Sequence, residues 1–527
     1  MSMGPLDPVF AFWKPLVDPA ELEALVSFAE WDAPRRKGIQ VLPTAGDPQP
    51  YRLLESGVGE GGADDDGSAS AAGSRGALLF CSVHPIAEPP DNAEVLARIT
   101  DAHGKPHSYV LWYPHEGCVV VPFDPGEAIR ALWFERYMQK SARKTLLPTP
   151  VLAAYYRLRP LIPPALRILL RQGVARPSLD AGSQVLSWPS DDSLNRIQRL
   201  LMRTFLLASG REEVPFIWFW PSAHPWAAVL THDVETAAGL GAIPRIMSLE
   251  RDRGLRSSFN MVVRDYDVPA ELLASLAEGG FEVGVHGYTH DGLMFLKWST
   301  FIKRAEKINA QAKKWGAVGF RSPATYRNPD WLCALEVEYD SSFADVAPFE
   351  PQPGGCASLF PYLIGDIAEH NTSRRNPSEG STSAAGVVEL PMTLVMDHTL
   401  FGLLGHTDAD LWLEKLDQIE AAHGMACILT HPDPTEGYIG VPENEAHYVQ
   451  VLDRLAASDA WVPLPRDLAR WWRLRASTFA LGAGAIACAN TGIRAGRSHA
   501  NTSSEALGAV PARAGLDADG GLAVSLP

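Results

Sequence analysis

Residues 227–235 read Ala-Ala-Val-Leu-Thr-His-Asp-Val-Glu, an apolar run that ends abruptly in polar and charged side chains. Similar runs recur through the C-terminal half. Strands are expected at Ala227–Asp233, Ser257–Val263, Phe281–His286, Ala317–Arg321, Tyr339–Phe343, Val387–Thr393 and Ala426–His431. Helical patterns lie between them at Ile243–Arg253, Ala270–Glu278, Leu296–Trp315, Asp410–Ala422 and Glu443–Ala457. Strands that alternate with helices imply crossover connections and a parallel sheet. About seven such units predict a closed or nearly closed α/β barrel over 221–473, whose chemistry gathers where strands end and loops begin.

The polar residues fall at those exits. The first strand ends in Thr231-His232-Asp233-Val234-Glu235, the third in His286-Gly287-Tyr288-Thr289-His290, the fourth in Phe320-Arg321-Ser322-Pro323 and the last in Leu429-Thr430-His431-Pro432. Buried parallel strands are usually uniformly apolar, so this clustering needs a cause. Two imidazoles and a carboxylate form a common zinc set, with one position open for water. His286 and His290 can meet on one ion if the chain turns helical after the strand. Singly, each residue has a plainer reading: Asp233 as a helix cap, Arg321 as an ion-pair partner, His431-Pro432-Asp433-Pro434 as a turn. Their joint placement on successive exits is harder to ascribe to chance.

In this order the motifs of 221–473 resemble those of the polysaccharide deacetylase (NodB-homology, carbohydrate esterase family 4) superfamily. The resemblance implies a distorted (β/α)7 barrel and a divalent metal, zinc being the expected one. It implies Asp233 as general base, His286 and His290 as metal ligands, Arg321 as the residue that holds the base, and His431 as general acid. Asp340 would sit near the fourth motif. The usual first motif has adjacent acids, whereas here Val234 separates Asp233 from Glu235. Residues i and i+2 of a strand share a face, so both acids can face the barrel mouth. Glu235 is then the expected third ligand, the alternative being Asp233 on the metal with no separate base. His232 should point away from Asp233. Tyr288, Pro323, Asp340, Asp397 and His398 are expected in the substrate pocket; Asp397 and His398 could instead orient His431 or lie in an exposed loop. The aromatic residue usual in the fourth motif is missing from Tyr339-Asp340-Ser341-Ser342-Phe343, which weakens the case for a polymeric substrate.

Outside the barrel the chain reads as a small α+β domain over 1–147, preceding a helical connecting region at 148–220. A tail over 474–527 is expected to be disordered, with flexible loops at 55–76 and 371–386. Residues 160–171 could form a basic amphipathic helix in peripheral contact with a membrane, although a packing helix is the commoner case. The six cysteines are scattered without a CxxC pair, so a metal would be held by His and carboxylates. A net charge of −16 argues against nucleic-acid binding. No run of about 20 apolar residues suits a transmembrane helix. The first residues lack a signal-peptide pattern, and a cytoplasmic location is expected. The expected function is removal of an acyl group, most simply N-acetyl, from a saccharide or glycan precursor. Two alternatives are an amidohydrolase for a small cyclic amide or imide and a non-catalytic glycan-binding protein with a vestigial site.

Overall fold

Every residue of Ala227–Val234 (β1) is buried, as suits a central parallel strand covered on both faces. The computed structural model describes residues 12–13, 15, 25–28, 37–56, 76–138, 185–365, 386–481, 485–488, 511–517 and 522–525. After β1 come Ser257–Met261 (β2), Glu282–Val285 (β3), Gly319–Phe320 (β4), Tyr339–Asp340 (β5), Val387–Glu389 (β6) and Met425–Thr430 (β7). In space they run β6-β5-β4-β3-β2-β1-β7, each neighbour parallel. The gap between β6 and β7 is closed by the segment after β6. Thr393 N and Leu394 N donate to the Cys427 carbonyl at 3.2 and 3.3 Å. Thr393 Oγ1 also donates to Met425 O at 2.7 Å and accepts from Cys427 N at 2.8 Å. The result is the expected distorted (β/α)7 barrel.

Strand parity sorts the core. Ala227 and Val229 of β1 join the barrel interior, whereas Ala228, Leu230 and Val234 pack outward with Ile243, Ile246, Leu416 and Val451 of the surrounding helices. Strands β4, β5 and β6 are shorter than the sequence suggests. Past their ends a few main-chain bonds continue, such as Ser341 N to Phe320 O and Leu390 N to Asp340 O, and side chains add to them: Ser341 Oγ donates to Leu390 O, and Ser322 N donates to Ser342 Oγ. An antiparallel strand, Tyr362–Ile364, also borders β6 and has no counterpart in the sequence reading.

The N-terminal region forms a seven-stranded sheet with the helix Pro125–Trp133, whose first turn is capped by Asp124. One face of this sheet has a small core of its own, around Leu42, Ile86, Leu111 and Val120; the other shares its core with the rest of the chain. One apolar cluster runs from Leu53, Leu79 and Ile99 of this sheet through Leu200 and Phe205 of the helix Ser193–Ser209 to Val229, Tyr339 and Leu429 inside the barrel. The division at 147 and 220 therefore marks a change in sequence pattern, and apolar packing crosses it. Of the expected helical connection, residues 148–184 lie outside the described residues, as do most of the loops at 55–76 and 371–386.

The described residues of the tail, 474–481, 485–488, 511–517 and 522–525, include regular structure where disorder is expected. The helix Pro465–Ser477 runs into the tail with Arg475 buried, and Pro511–Leu516 pairs antiparallel with Glu213–Ile217 on one side and Leu522–Ser525 on the other. Main-chain pairing requires few bulky side chains, and the small residues Ala512 and Ala514 are buried in this central strand. Among the described residues, no helix is long and apolar enough to cross a membrane.

Candidate active site

The exits of β1, β3, β4 and β7 meet at an open cleft of about 510 Å³, solvent at its mouth included. Asp233, Glu235, His286, His290, His398 and His431 all line it.

Alternation along β1 separates two sets of polar groups. On the inward face, Arg321 NH1 donates to Thr231 Oγ1 at 2.7 Å and to Asp233 Oδ1 at 3.3 Å. Asn260, which lies opposite Asp233 in the β1–β2 register, donates Nδ2 to the same oxygen at 2.8 Å. On the outward face, His232 shares its ring nitrogens with Glu250 Oε1 at 2.7 Å and Thr430 Oγ1 at 2.8 Å. Tyr448 closes that set by donating to Glu250 at 2.7 Å. His232 thus points away from the cleft, as expected.

Arg321 is wholly buried. Its Nε donates to Ser341 O and its NH2 to Ser341 Oγ, both at 2.6 Å. Burial pushes the Asp233 pKa upward, but the charges of His286, Arg321 and His431, together with the Asn260 amide, outweigh it and hold the carboxyl below its usual range.

After His286 the chain turns through bends, without the helical turn expected. Gly287 supplies the turn at φ +71°, and a Cβ there would lie 2.6 Å from Pro323 Cδ. The His286 and His290 ring centroids end 5.1 Å apart. One ligand atom each from Glu235, His286 and His290 can lie within 4.8 Å of one another. His290 Nε2 is 3.0 Å from Glu235 Oε1. His286 Nδ1 lies 3.2 Å from the Arg321 carbonyl. A carbonyl only accepts, so this contact puts the proton on Nδ1 and leaves the Nε2 lone pair for a ligand. Burial lowers the His286 pKa to about 4, which keeps the ring neutral. Two neutral-capable imidazoles and a carboxylate match the donor set of a divalent ion such as zinc.

Across the cleft, Asp397 organises His431. Its carboxylate accepts His431 Nδ1–H at 2.6 Å, and the backbone amides of His431, Ile439 and His398 at 2.8, 3.0 and 2.8 Å. Burial alone would lower the His431 pKa, but the Asp397 charge and hydrogen bond raise it to about 9. Tyr438 stacks on the His431 ring with centroids 4.3 Å apart, and its hydroxyl donates to Glu235 Oε2 at 3.0 Å. Asp433, from the segment read as a turn, accepts Glu235 N at 3.0 Å and Thr236 Oγ1 at 2.5 Å. The exits of β1 and β7 are tied together there.

Of the expected pocket residues, His398 alone lines the cleft. Asp397 lies behind His431. Tyr288 faces Lys307 and Arg264 through its ring, with Lys307 Nζ 4.7 Å from the centroid. Pro323 packs against Gly287. Asp340 is buried behind Arg321, accepts from Ser342 Oγ at 2.7 Å and shares a hydrogen bond with Glu389. Burial raises the pKa of both acids, Glu389 well above its ordinary value. This pair is too deep to meet a substrate.

Sequence reasoning missed Asn260, Ser341, Glu350, Asp433 and Tyr438. Asn260 had a usable signal, being an amide inside an otherwise compact parallel strand. Tyr438 and Glu350 come from loops with no periodic pattern.

Neither a protein-family model nor a curated protein sequence matches the chain. Solved structures resemble about half of the chain. A protein from Mycobacterium smegmatis described as a polysaccharide deacetylase is 19% identical, with a TM-score of 0.38 over 50% of this chain and 96% of its own. PuuE allantoinase is 14% identical, with a TM-score of 0.34 over 48% and 92%. A protein from Pseudomonas aeruginosa PAO1 described as a polysaccharide deacetylase gives the same identity, 14%, and TM-score, 0.34, over 48% and 92%. The chemistry follows from the site's own atoms.

Proposed function

We propose that the chain is a divalent-metal-dependent hydrolase that removes an acyl group, most simply N-acetyl, from a saccharide or glycan precursor. One observation carries this reading: Glu235, His286 and His290 converge in a cleft also lined by Asp233, which Arg321 holds from behind, and by His431, which Asp397 holds from behind.

Glu235, His286 and His290 would hold the ion, which we take to be zinc. Bound there, it would polarise the acyl carbonyl and make water a better nucleophile near neutral pH. Asp233 acts as general base. Arg321 and Asn260 fix its Oδ1 and favour the ionised form, so the carboxylate can accept a proton from the water that attacks the acyl carbon. As the new C–O bond forms and the C–N bond breaks, the leaving nitrogen needs a proton. His431 supplies it: Asp397 holds Nδ1–H, keeps the ring charged at neutral pH and leaves Nε2–H for the cleft. Tyr438 restrains the plane of that ring. The acyl group leaves as a carboxylate and the saccharide as an ammonium: the carboxyl proton passes to the amine and the proton taken by Asp233 restores His431, so atoms and charge balance.

The arrangement supports Glu235 over Asp233 as the third ligand, because Asp233 is already engaged by Arg321 and Asn260. The test is to purify the protein, measure bound metal, and assay acetate release from a panel of N-acetylated saccharides before and after chelation. Stoichiometric metal with metal-restorable acetate release supports the reading. Full activity after exhaustive chelation, or release from cyclic imides alone, would overturn it.

A further inference from the structure

None of the groups assigned above comes from the first 147 residues, yet one side chain of that region reaches the cleft rim. Past the helix Pro125–Trp133 the chain takes Glu135 through φ +50°, a left-handed conformation uncommon for a residue with a Cβ. Its carboxylate meets the fully buried guanidinium of Arg327: Arg327 Nε donates to Oε2 at 2.8 Å, and NH2 donates to Oε1. Such two-point pairing fixes direction as well as distance. The fit depends on Gly354, at φ +149°, where a Cβ would lie 2.7 Å from Glu135 Oε1. Two more contacts hold this segment in place. Tyr137 OH donates to Gly355 O at 2.6 Å, and Tyr362 OH donates to Trp133 O at 2.9 Å.

Arg327 passes this anchorage to the rim in two directions. Its NH1 donates to Thr325 O at 2.9 Å and to Gln352 O at 3.3 Å. Its own amide and carbonyl make reciprocal bonds with the Gln352 side chain at 3.0 and 3.2 Å. The first direction reaches Ala324 and Thr325, both held at left-handed φ of 54° and 52°. The second reaches the hairpin closed by Ala347 and Gly354, whose tip carries Glu350 and Pro351. Ala324, Thr325, Glu350 and Pro351 all line the cleft. Left-handed non-glycine residues persist where their surroundings over-determine them, and here the surroundings converge on Arg327.

We infer that Glu135 is a positioning residue: through Arg327 it holds the two rim segments that face the substrate, so the N-terminal region shapes the saccharide side of the cleft. The kinetic part of this inference rests on the hydrolase reading; the structural part does not. A pair that serves only to join two regions would alter stability and leave substrate affinity alone.

The test uses the full chain with two variants. Glu135→Gln keeps the shape and removes the charge. Glu135→Leu with Arg327→Met removes both charges together, which avoids stranding a buried guanidinium and is often neutral for stability. Both variants are expected to raise KM for an N-acetylated saccharide about ten-fold with kcat within about two-fold and bound metal unchanged. In both, amide exchange at 322–327 and 347–354 should quicken without substrate. If the single variant does not fold, the double variant decides. Unchanged KM and unchanged exchange in a folded variant overturn the inference. Faster exchange at the rim, in a protein whose parent releases no acyl group, supports positioning and removes the hydrolase reading alone.

Discussion

His232 and His286 are both buried imidazoles on the first and third strand exits, 0% and 1% exposed, and they differ in what is left unsatisfied. His232 sits on the outward face of β1 in a closed set, with one nitrogen against Glu250 and the other against Thr430. His286 has Nδ1 committed to the Arg321 carbonyl while its ring lines the cleft. Burial is therefore the same in a histidine that packs the barrel wall and in one suited to hold an ion. The spare nitrogen makes the distinction, and one step along a strand decides which face receives it.

Substitutions should separate the two surfaces. His286→Ala is expected to cost the bound metal and lower turnover by on the order of 10³-fold, beyond the ~10–100-fold typical of outer partners of a metal site. Metal analysis alongside the kinetics checks this, and retained metal would break the contrast with His232.

Asp233→Asn should lower kcat by roughly 10²–10⁴-fold, the range of a lost general base, while metal stays bound. Loss of both together would move Asp233 into the ligand set.

Asp397→Asn should cost about 10–100-fold and reshape the pH profile. In the parent, activity should fall as pH rises through about 9, where His431 loses its proton. Burial lowers that pKa and Asp397 raises it, so removing the Asp397 charge should move the alkaline limb toward acid. A limb that stays in place would separate it from His431.

The smallest kinetic effect belongs to His232→Ala. It should destabilise the fold by about 1–3 kcal/mol, because Glu250 and Thr430 lose a buried partner. The folded protein should keep kcat within about two-fold. Denaturant melts and active-site titration read the two quantities separately, and a large kcat loss at full folding would collapse the comparison.

Periodicity carried the barrel into view because seven apolar runs and their intervening helices follow rules local to each segment. The face-sharing of Asp233 with Glu235 was legible for the same reason: it depends only on alternation along one segment, and both line the cleft. The pairing of Asp233 with Asn260 depends on register between strands, which no single segment encodes. Asp340 misled because its motif position suggested the pocket, whereas its side chain is buried and accepts from Ser342. The tail misled because composition reports bulky apolar content, while Ala512 and Ala514 are buried through main-chain pairing. The rim residues Thr325 and Glu350 depend on Arg327 and Glu135, far apart in the chain, and only folding brings them together.

The closure at Thr393 gives the barrel an uneven stiffness. Between β7 and β1 the ladder runs through six residue pairs; at the β6–β7 closure four hydrogen bonds cluster around Thr393, Leu394, Met425 and Cys427. Breathing of the cylinder should be easier at this seam than between β7 and β1, since local opening follows fewer cooperative contacts. The seam leads within a few residues to Met396 and His398 on the cleft wall. A small gape there would widen the mouth of the cleft on the side of Met396 and His398, away from Glu235, His286 and His290.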